Sequence, residues 1–189
     1  MPPGQRSDLM VSDVDLVREL RNGSNRAFAV LYQRYKLPLF RYCLKMLEQV
    51  EASEDVLQTV FLRVYEHRDE LVFADRFKAW IFAIARNHCF TYLRTRGRTV
   101  TLEGDVEQPP ESNTGRQLEQ GEETELVRDA IRRLGPEDRE VILLREYESL
   151  SYKEIAAITG ITESAVKSRL FKARRRLFEL LKPSFLERS

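Results

Sequence analysis

The chain has 189 residues, of which 42% are hydrophobic and 32% charged, and it holds only 8 Gly and 7 Pro. This composition is typical of a soluble, helix-rich protein of one or two small domains. No run of eighteen apolar residues occurs and the first residues lack a signal-peptide pattern, which argues against a membrane or secreted protein and predicts a cytoplasmic one. The net charge of +1 hides an uneven distribution, so local patterns are more informative.

The first block of the chain, residues 13–97, has apolar residues at the three-and-four spacing of helices. One helix is predicted before Pro38 and a second helix after it. The inward face of the first is predicted to consist of Ala27, Phe28, Leu31, Tyr32 and Tyr35. A third helix is predicted to begin at Ser53, because two acids follow it in what would be the first turn. A fourth is predicted over residues 75–96. No alternation of convincing length predicts a strand.

The segment 99–121 differs from both of its neighbours. It contains two adjacent prolines, three glycines and five acids against one arginine, and it has few large apolar residues. Such a segment is typical of an extended, flexible linker. Helical periodicity returns at Glu122, and Gly135 with Pro136 ends that helix. We therefore predict an all-α fold of two small helical domains, residues 12–98 and 122–182, joined by a flexible acidic linker.

The second domain contains the signals of a helix-turn-helix. Ser151 and Glu154 have the spacing of a capping box, Gly160 suits a tight turn between helices, and Thr162 is a good N-cap for the next helix. Ala156 supplies a small side chain where the two helices would cross. The inward positions of the second helix are predicted to be Ala165, Val166, Leu170 and Leu177.

The second helix of this pair is strongly basic, as a helix that binds DNA requires. In a helix-turn-helix, the start of the second helix enters the major groove and later basic residues meet phosphates. The alternative is a solvated amphipathic helix that is basic by chance, which the agreement of caps, turn and charge disfavours. The basic residues are Lys167, Arg169, Lys172, Arg174, Arg175 and Arg176.

The long predicted helix 75–96 suggests a second nucleic-acid site, because basic and aromatic residues together can hold unstacked bases. The competing interpretation is that the rings are core, and we favour it for Phe77 and Trp80. No phosphate loop, nucleophile elbow or metal-ligand pattern is present, so neither catalysis nor a metal or other cofactor is predicted. Cys43 and Cys89 lie among apolar residues and are expected to be buried thiols.

Two stretches together resemble a known family. EDVLQTVFLRVYE (54–66) with FKAWIFAIARNHCFTYLRTRGR (77–98) is similar to region 2 of the extracytoplasmic-function (ECF) sigma factors, and residues 126–177 are similar to their region 4. The resemblance covers nearly the whole chain, with both modules in the family's order. It implies a subunit that brings bacterial RNA polymerase to promoters.

The resemblance also implies roles for individual residues. The helix 53–66 would bind the clamp of the polymerase β′ subunit, the loop 71–76 with the following helix would melt and hold the −10 element, and the basic helix would recognise the −35 element. The residues for the core polymerase are Asp55, Gln58, Phe61 and Leu62. Those for the −10 element are Phe73, Arg76, Lys78, Asn87, Arg94 and Arg96. Those for the −35 element are Thr162, Ser164, Lys167, Ser168, Arg169, Phe171, Lys172 and Arg175.

The implied partners are the polymerase core, through its β′ clamp and β flap, promoter DNA and an anti-sigma factor, with no small-molecule substrate. Two departures from the family's pattern are Thr59, where an acid is common, and the lack of Gly in LVFADRF (71–77). The alternatives are a stand-alone helix-turn-helix regulator, which would need a dimer surface, and a degenerate sigma-like interaction module. An RNA-binding first domain ranks lower.

Overall fold

Every element of secondary structure is helical in the computed structural model, which describes residues 11–71, 74–103 and 125–186. The all-α prediction is confirmed for these residues. Two short 3-10 turns, Arg68–Glu70 and Ala74–Arg76, lie between the third and fourth helices, and a π-helical turn, Leu143–Tyr147, follows the sixth. The helices are α1 (Asp13–Arg21), α2 (Asn25–Leu47), α3 (Val50–Glu66), α4 (Phe77–Glu103), α5 (Glu125–Arg132), α6 (Pro136–Ile142), α7 (Tyr152–Thr159) and α8 (Glu163–Leu186).

Helices α1 to α4 form a bundle around an apolar core. Leu31 and Leu39 from α2, Val60 from α3 and Phe82 from α4 have no solvent-accessible side chain. Each such side chain stabilises the fold by about 1.5–3 kcal/mol relative to an exposed position. The ring of Tyr42 meets Phe82 edge-on, with centroids 5.7 Å apart. This core fixes which sides of α3 and α4 face outward, and those sides carry the candidate binding residues.

The fourth helix extends further than predicted. The prediction ended it at residue 96, but α4 continues to Glu103, so residues 99–103 of the predicted linker are helical.

Two other predicted helix boundaries in this bundle were wrong. The helices predicted before and after Pro38 are one continuous helix, α2, with Pro38 inside it. A proline costs a helix interior about 3 kcal/mol, but residues on its far side, Leu39 and Met46 among them, are fully buried and hold the helix together. Helix α3 begins at Val50, not at Ser53, whose buried hydroxyl donates to the carbonyl of Gln49 at 2.6 Å.

The predicted helix-turn-helix is confirmed as α7, a turn and α8. The hydroxyl of Ser151 accepts from the backbone N–H of Glu154 at 3.2 Å, and the Glu154 carboxylate accepts from the N–H of Ser151 at 2.8 Å. Gly160 ends α7 with φ at +74°. The hydroxyl of Thr162 then accepts from the N–H of Ala165 at 3.2 Å, which starts α8. Local capping thus fixes where α7 begins and ends and where α8 begins.

The inward face of α8 differs in part from the prediction. Val166 and Leu170 are buried as predicted, but Ala165 is exposed and Ala173 is buried instead. Leu177 is half-buried. Residues 166, 170, 173 and 177 are separated by four, three and four positions, which keeps them on one stripe of a helix with 3.6 residues per turn. Residue 165 lies about 100° away from that stripe.

Gly160 and Gly135 offer a matched test of the turn. A Cβ at either position would have no heavy atom within 4 Å, but φ is +74° at Gly160 and −59° at Gly135. We expect Gly160→Ala to lower the free energy of unfolding by about 1–2 kcal/mol, because the left-handed region is unfavourable for L-residues. Gly135→Ala should change it by less than about 0.5 kcal/mol. Urea unfolding of both variants checks this, and equal effects would contradict the backbone explanation.

The two helical blocks pack against each other, chiefly through α4 and α7. Buried residues of both blocks belong to one continuous apolar cluster. Cys43 and Cys89 are both buried free thiols, as expected, and a hydrogen bond with Cys43 together with burial raises the pKa of Cys89. Among residues 11–71, 74–103 and 125–186, no helix is long and apolar enough to cross a bilayer and no cluster of His, Cys, Asp and Glu could hold a metal ion.

Candidate functional site

The outer face of α8 presents the residues predicted to recognise duplex DNA. Phe171 is 68% exposed, and Lys167, Ser168 and Lys172 are exposed beside it. Thr162 and Ser164 are exposed at the start of the helix, where a helix-turn-helix reaches base edges. A cleft of about 490 Å³ follows, lined in part by Ser168, Arg169, Lys172 and Arg175. The structure therefore places the predicted −35 set along α8 and at Thr162, the residue just before it, with Arg169 only half-exposed.

The basic residues of α8 fall into two groups that the sequence does not distinguish. Arg174 Nη2 lies 2.6 Å from the carboxylate of Glu146, and this contact raises the pKa of Arg174. Arg176 Nη1 lies 2.9 Å from the carboxylate of Asp138. These two arginines brace α8 against the preceding helices. Arg175 lies between them in sequence, is exposed and lines the basic cleft, which Arg176 and its partner Asp138 also line.

The predicted −10 residues do not form one surface. Asn87 lies nine positions after Lys78 on α4, which puts the two on opposite faces at 100° per residue. Asn87 and Arg94 are exposed on one face, while the half-buried Lys78 donates from Nζ to the carbonyl oxygen of Glu148 at 2.9 Å. Arg96 shares the angular position of Lys78 but lies about 27 Å further along the helix axis. Phe73, the sixth predicted residue, lies outside the described residues.

A cleft of about 460 Å³ opens at the start of α4 and suits an unstacked base better than the helix face does. Arg76 lines it, together with Arg63, His67, Trp80 and other residues. Phe77 is buried as expected, but Trp80 is half-buried at the cleft, so its interpretation as core was only partly right. An apolar wall with arginines at the rim provides a stacking surface and cations for phosphates. In the sequence, the sign that Trp80 could belong to a nucleic-acid site was its closeness to a basic residue, Arg76, and to another aromatic residue, Phe77.

An aromatic groove lies between α2 and α3, where the polymerase-binding residues were predicted. It has a volume of about 580 Å³, and Gln58, Phe61 and Leu62 line it. Leu62 is 53% exposed at its edge, whereas Phe61 is only 5% exposed and forms its floor. Asp55 is exposed one turn before Gln58 on the same stripe of α3. The predicted set is therefore brought together, with Phe61 shaping the groove from below.

Three aromatic residues of this groove were not predicted. The Tyr32 and Phe61 ring centroids are 4.6 Å apart, and Phe28 meets Tyr65 at 5.4 Å. Tyr32 and Tyr65 are partly exposed although apolar periodicity marked Tyr32 as an inward residue. The spacing of apolar residues identifies the inward face of a helix, but it does not show which residues at the edge of that face are exposed to solvent. Thr59 is half-buried beside the stripe, and its hydroxyl donates to the carbonyl of Asp55 at 2.8 Å.

Comparison with known proteins gives a consistent result. The family model for Sigma-70 region 2 matches residues 31–99, and that for Sigma-70, region 4 matches residues 124–177. The chain is 34% identical over 149 residues to the ECF RNA polymerase sigma factor SigL of Mycobacterium tuberculosis, covering 78% of this chain and 84% of SigL. It is 32% identical over 148 residues to the ECF RNA polymerase sigma factor SigM of Bacillus subtilis, covering 78% of this chain and 90% of SigM.

Solved structures agree. The structure of CnrH in complex with the cytosolic domain of CnrY superimposes with a TM-score of 0.71 at 26% identity, over 90% of this chain and 97% of CnrH. The sigma factor RpoE of Bartonella quintana, solved with the anti-sigma factor NepR, gives 0.67 at 28% identity, over 82% of this chain and 96% of RpoE. The chain therefore belongs to the ECF sigma factors of the sigma-70 family and functions as a sigma factor in promoter-specific initiation of transcription.

Proposed function

We propose that the aromatic groove and the exposed stripe of α3 attach this sigma factor to the core polymerase. Asp55, Gln58 and Leu62 contact the clamp of the β′ subunit directly, while Phe61 supports them from the floor of the groove. An exposed apolar rim beside an acid and an amide is suited to protein binding, because it combines a desolvated centre with polar groups at its edge. In this proposal residues 12–98 form region 2, residues 99–121 the linker and residues 122–182 region 4.

The −10 element is held at the start of α4 and along its exposed face. A flipped base enters the cleft near Arg76 and Trp80, and the DNA backbone follows Asn87 and Arg94. Unstacking a base costs a few kcal/mol, which stacking in the cleft and charge at its rim offset. Lys78, Arg96 and Phe73 belong to the proposed −10 set as well, and Lys78 must first leave the carbonyl of Glu148, to which it donates at 2.9 Å.

The −35 element is read by α8 in the major groove. The early part of the helix reaches base edges, and the basic cleft further along meets phosphates, which position the helix without reading sequence. The observation that carries the proposal is that the docking groove and this recognition helix occur in one chain. Base-reading residues are Thr162, Ser164, Lys167, Ser168, Phe171 and Lys172, and phosphate-binding residues are Arg169 and Arg175.

The protein acts in the cytoplasm, has no catalytic residues of its own, and is regulated by an anti-sigma factor. The support for the last point is that similar sigma factors were solved with such partners, NepR for one of them. An anti-sigma factor would cover the groove or the α4 face and so compete with polymerase. The polymerase β flap would be the attachment point for region 4.

Transcription with purified components tests the proposal. The protein is mixed with bacterial core polymerase and a promoter library, and the transcripts are sequenced to map their starts. Initiation that depends on the protein, with shared elements near −10 and −35, is the expected result. Core binding without initiation would support the degenerate interaction module instead. Sequence-specific duplex binding that ignores the core would support a stand-alone regulator.

The neighbouring residues Arg174 and Arg175 test the assignment of phosphate contacts. We expect Arg175→Ala to weaken binding of the holoenzyme to a −35 duplex about tenfold and to reduce the slope of log affinity against log salt by about 1. Arg174→Ala should have less than about a threefold effect, because its guanidinium is held by Glu146 at 2.6 Å. Measuring the affinity of both variants for the −35 duplex over a range of salt concentrations checks this. Equal slopes for the two variants would contradict the assignment of Arg175 to phosphate binding and of Arg174 to the ion pair with Glu146.

A further inference from the structure

Tyr152, the first residue of α7, lies beside the recognition helix α8. Its ring is half-buried against the apolar core, and it was not among the predicted site residues. Lys167 Nζ of α8 lies 5.7 Å from the centroid of this ring. A cation within about 6 Å of an aromatic ring is attracted by the negative charge on the ring face. Tyr152 therefore joins the first helix of the helix-turn-helix to a residue that is proposed to read a base.

Neighbouring side chains hold the Tyr152 ring in one position. Arg145 Cζ lies 5.1 Å from the ring centroid, and Arg145 Nη1 donates to the carbonyl oxygen of Leu150 at 2.8 Å. Arg174 contacts the Tyr152 hydroxyl while its guanidinium is held by Glu146. The hydrogen bond with Glu146, and after it the contact with Tyr152, raises the pKa of Arg174. The ring is thus a fixed part of the domain to which a longer side chain can be attached.

Lys167 has such a side chain. It is exposed, and among the residues that the structure describes no hydrogen bond or ion pair holds its ammonium group. A lysine side chain has many rotamers and loses much conformational entropy when it is fixed in a complex. A ring that already holds the ammonium group reduces this loss. The other lysine of the recognition surface, Lys172, lines the basic cleft instead.

The position of Lys167 is suited to reading a base. It lies one turn before Phe171, which is 68% exposed, on the outer face of α8. An ammonium group has donors only, so in the major groove it favours guanine, whose O6 and N7 are both acceptors. Phosphates and neighbouring bases also accept hydrogen bonds, and a freely moving lysine can reach them. Holding the ammonium group in one direction therefore adds selectivity that its charge alone does not give.

We propose that Tyr152 is a positioning residue for promoter recognition, whose ring directs the Lys167 ammonium group to one guanine of the −35 element. This inference rests on the proposed function, because that function assigns Lys167 to base edges. Tyr152 itself reads no base. Without the ring, the charge of Lys167 remains on α8 and still attracts DNA, but it is shared between the guanine, other bases and phosphates. Affinity for DNA is then largely kept, while selectivity falls at one base pair.

Substitutions at the two positions test the proposal in the holoenzyme, with −35 duplexes in which each base pair is changed in turn. Lys167→Met keeps the apolar stem and removes the ammonium group, so it should relax the preference for one G·C pair about tenfold. Tyr152→Leu keeps an apolar side chain and should relax the same pair about fourfold, as loss of a cation–π contact implies. The other pairs should stay within about 1.5-fold of wild type. Tyr152→Phe retains the ring and should retain the selectivity.

A matched control and a double variant separate positioning from a structural role. Tyr147→Leu removes another tyrosine ring that faces a lysine, Lys45 at 4.5 Å, but one that is not on α8, and it should keep wild-type selectivity. In a Lys167→Met background, Tyr152→Leu should relax the G·C pair no further. In wild-type protein the Hε resonances of Lys167 should be shifted upfield by the ring. This NMR shift tests the contact even if Tyr152→Leu fails to fold.

The possible outcomes distinguish this inference from the proposed function. Equal weakening at every base pair by Tyr152→Leu, an unchanged profile, or an unshifted Lys167 resonance would overturn the positioning role and leave the proposed function intact. Tyr152→Phe behaving like Tyr152→Leu would also overturn it, because the hydroxyl rather than the ring would then matter. A wild-type profile in Lys167→Met would overturn both the positioning role and the assignment of Lys167 to a base.

Discussion

Replacing Leu62 by Asp is expected to weaken binding of this sigma factor to core polymerase by about 100-fold, or about 2.7 kcal/mol. Leu62 is 53% exposed at the edge of the aromatic groove, next to Phe61 and Tyr65. Its side chain is therefore available to a partner and contributes little to the core of the bundle. An Asp there removes the apolar contact and adds a carboxylate that loses its water when the complex forms.

The fold should tolerate this change. Leu and Asp differ in helix propensity by only about 0.5 kcal/mol at an exposed position, so helicity and unfolding should be close to wild type. Leu62→Met keeps the apolar character and is the matched control, with affinity within about threefold of wild type. Competition with a labelled wild-type sigma factor for limiting core polymerase measures both variants. Retention of full affinity by Leu62→Asp would remove the groove from the polymerase interface.

Features that depend on a few neighbouring residues were predictable from the sequence. The capping box at Ser151, the turn at Gly160 and the N-cap at Thr162 each involve residues within four positions of one another. Their geometry is set locally, whatever the rest of the chain does. These local features determine the helix-turn-helix. They also bring the residues predicted for the −35 element together along α8 and at its N-cap.

Features that depend on distant contacts were not predictable in the same way. The uninterrupted α2 is held by burial beyond Pro38, which overrides the local preference of proline to end a helix. Similarly, Arg174 and Arg175 are adjacent and chemically identical, yet only Arg174 meets Glu146, which is 28 positions away. The sequence shows that a charged residue lies on the outer face of a helix. Contacts with residues distant in sequence determine whether that charge already has an ion-pair partner.

The ion pair between Arg86 and Glu140, which are 54 positions apart, is the clearest case of this limit. Glu140 lies on α6 among charged neighbours, and a solvated surface carboxylate would fit the sequence equally well. In the fold its Oε1 accepts from Arg86, while Oε2 is buried without a hydrogen-bond partner among the described residues. Only the packing of one region on the other produces this environment. The burial of the Glu140 carboxylate also makes the stability of the protein depend on pH, which can be measured.

Stability is expected to fall as pH rises from 5 to 7.5, by about 2–3 kcal/mol through Glu140 alone. Burial raises the pKa of Glu140 to about 7 against the opposing effect of Arg86. Arg169 also lowers this pKa and Glu137 raises it. Burial, and after it the charge of Glu140, raises the pKa of the Tyr42 hydroxyl. Between the pKa of about 4.3 in the unfolded chain and the folded value, the folded protein binds more protons. The contribution of this group to stability is therefore present at low pH and lost as pH rises.

The variant Glu140→Gln isolates this group from the others that titrate. Burial also raises the pKa of Glu148, and burial with Arg63 lowers that of His88, so the wild-type curve alone mixes opposite trends. Urea unfolding of both proteins at pH 5, 6, 7 and 7.5 gives the difference in the free energy of unfolding. That difference should move by about 2–3 kcal/mol in favour of Glu140→Gln across the range, because a neutral amide carries the same charge at every pH. A constant difference would mean that the Glu140 carboxylate titrates alike in the folded and unfolded chain, and that it is not held in a closed, water-excluded contact.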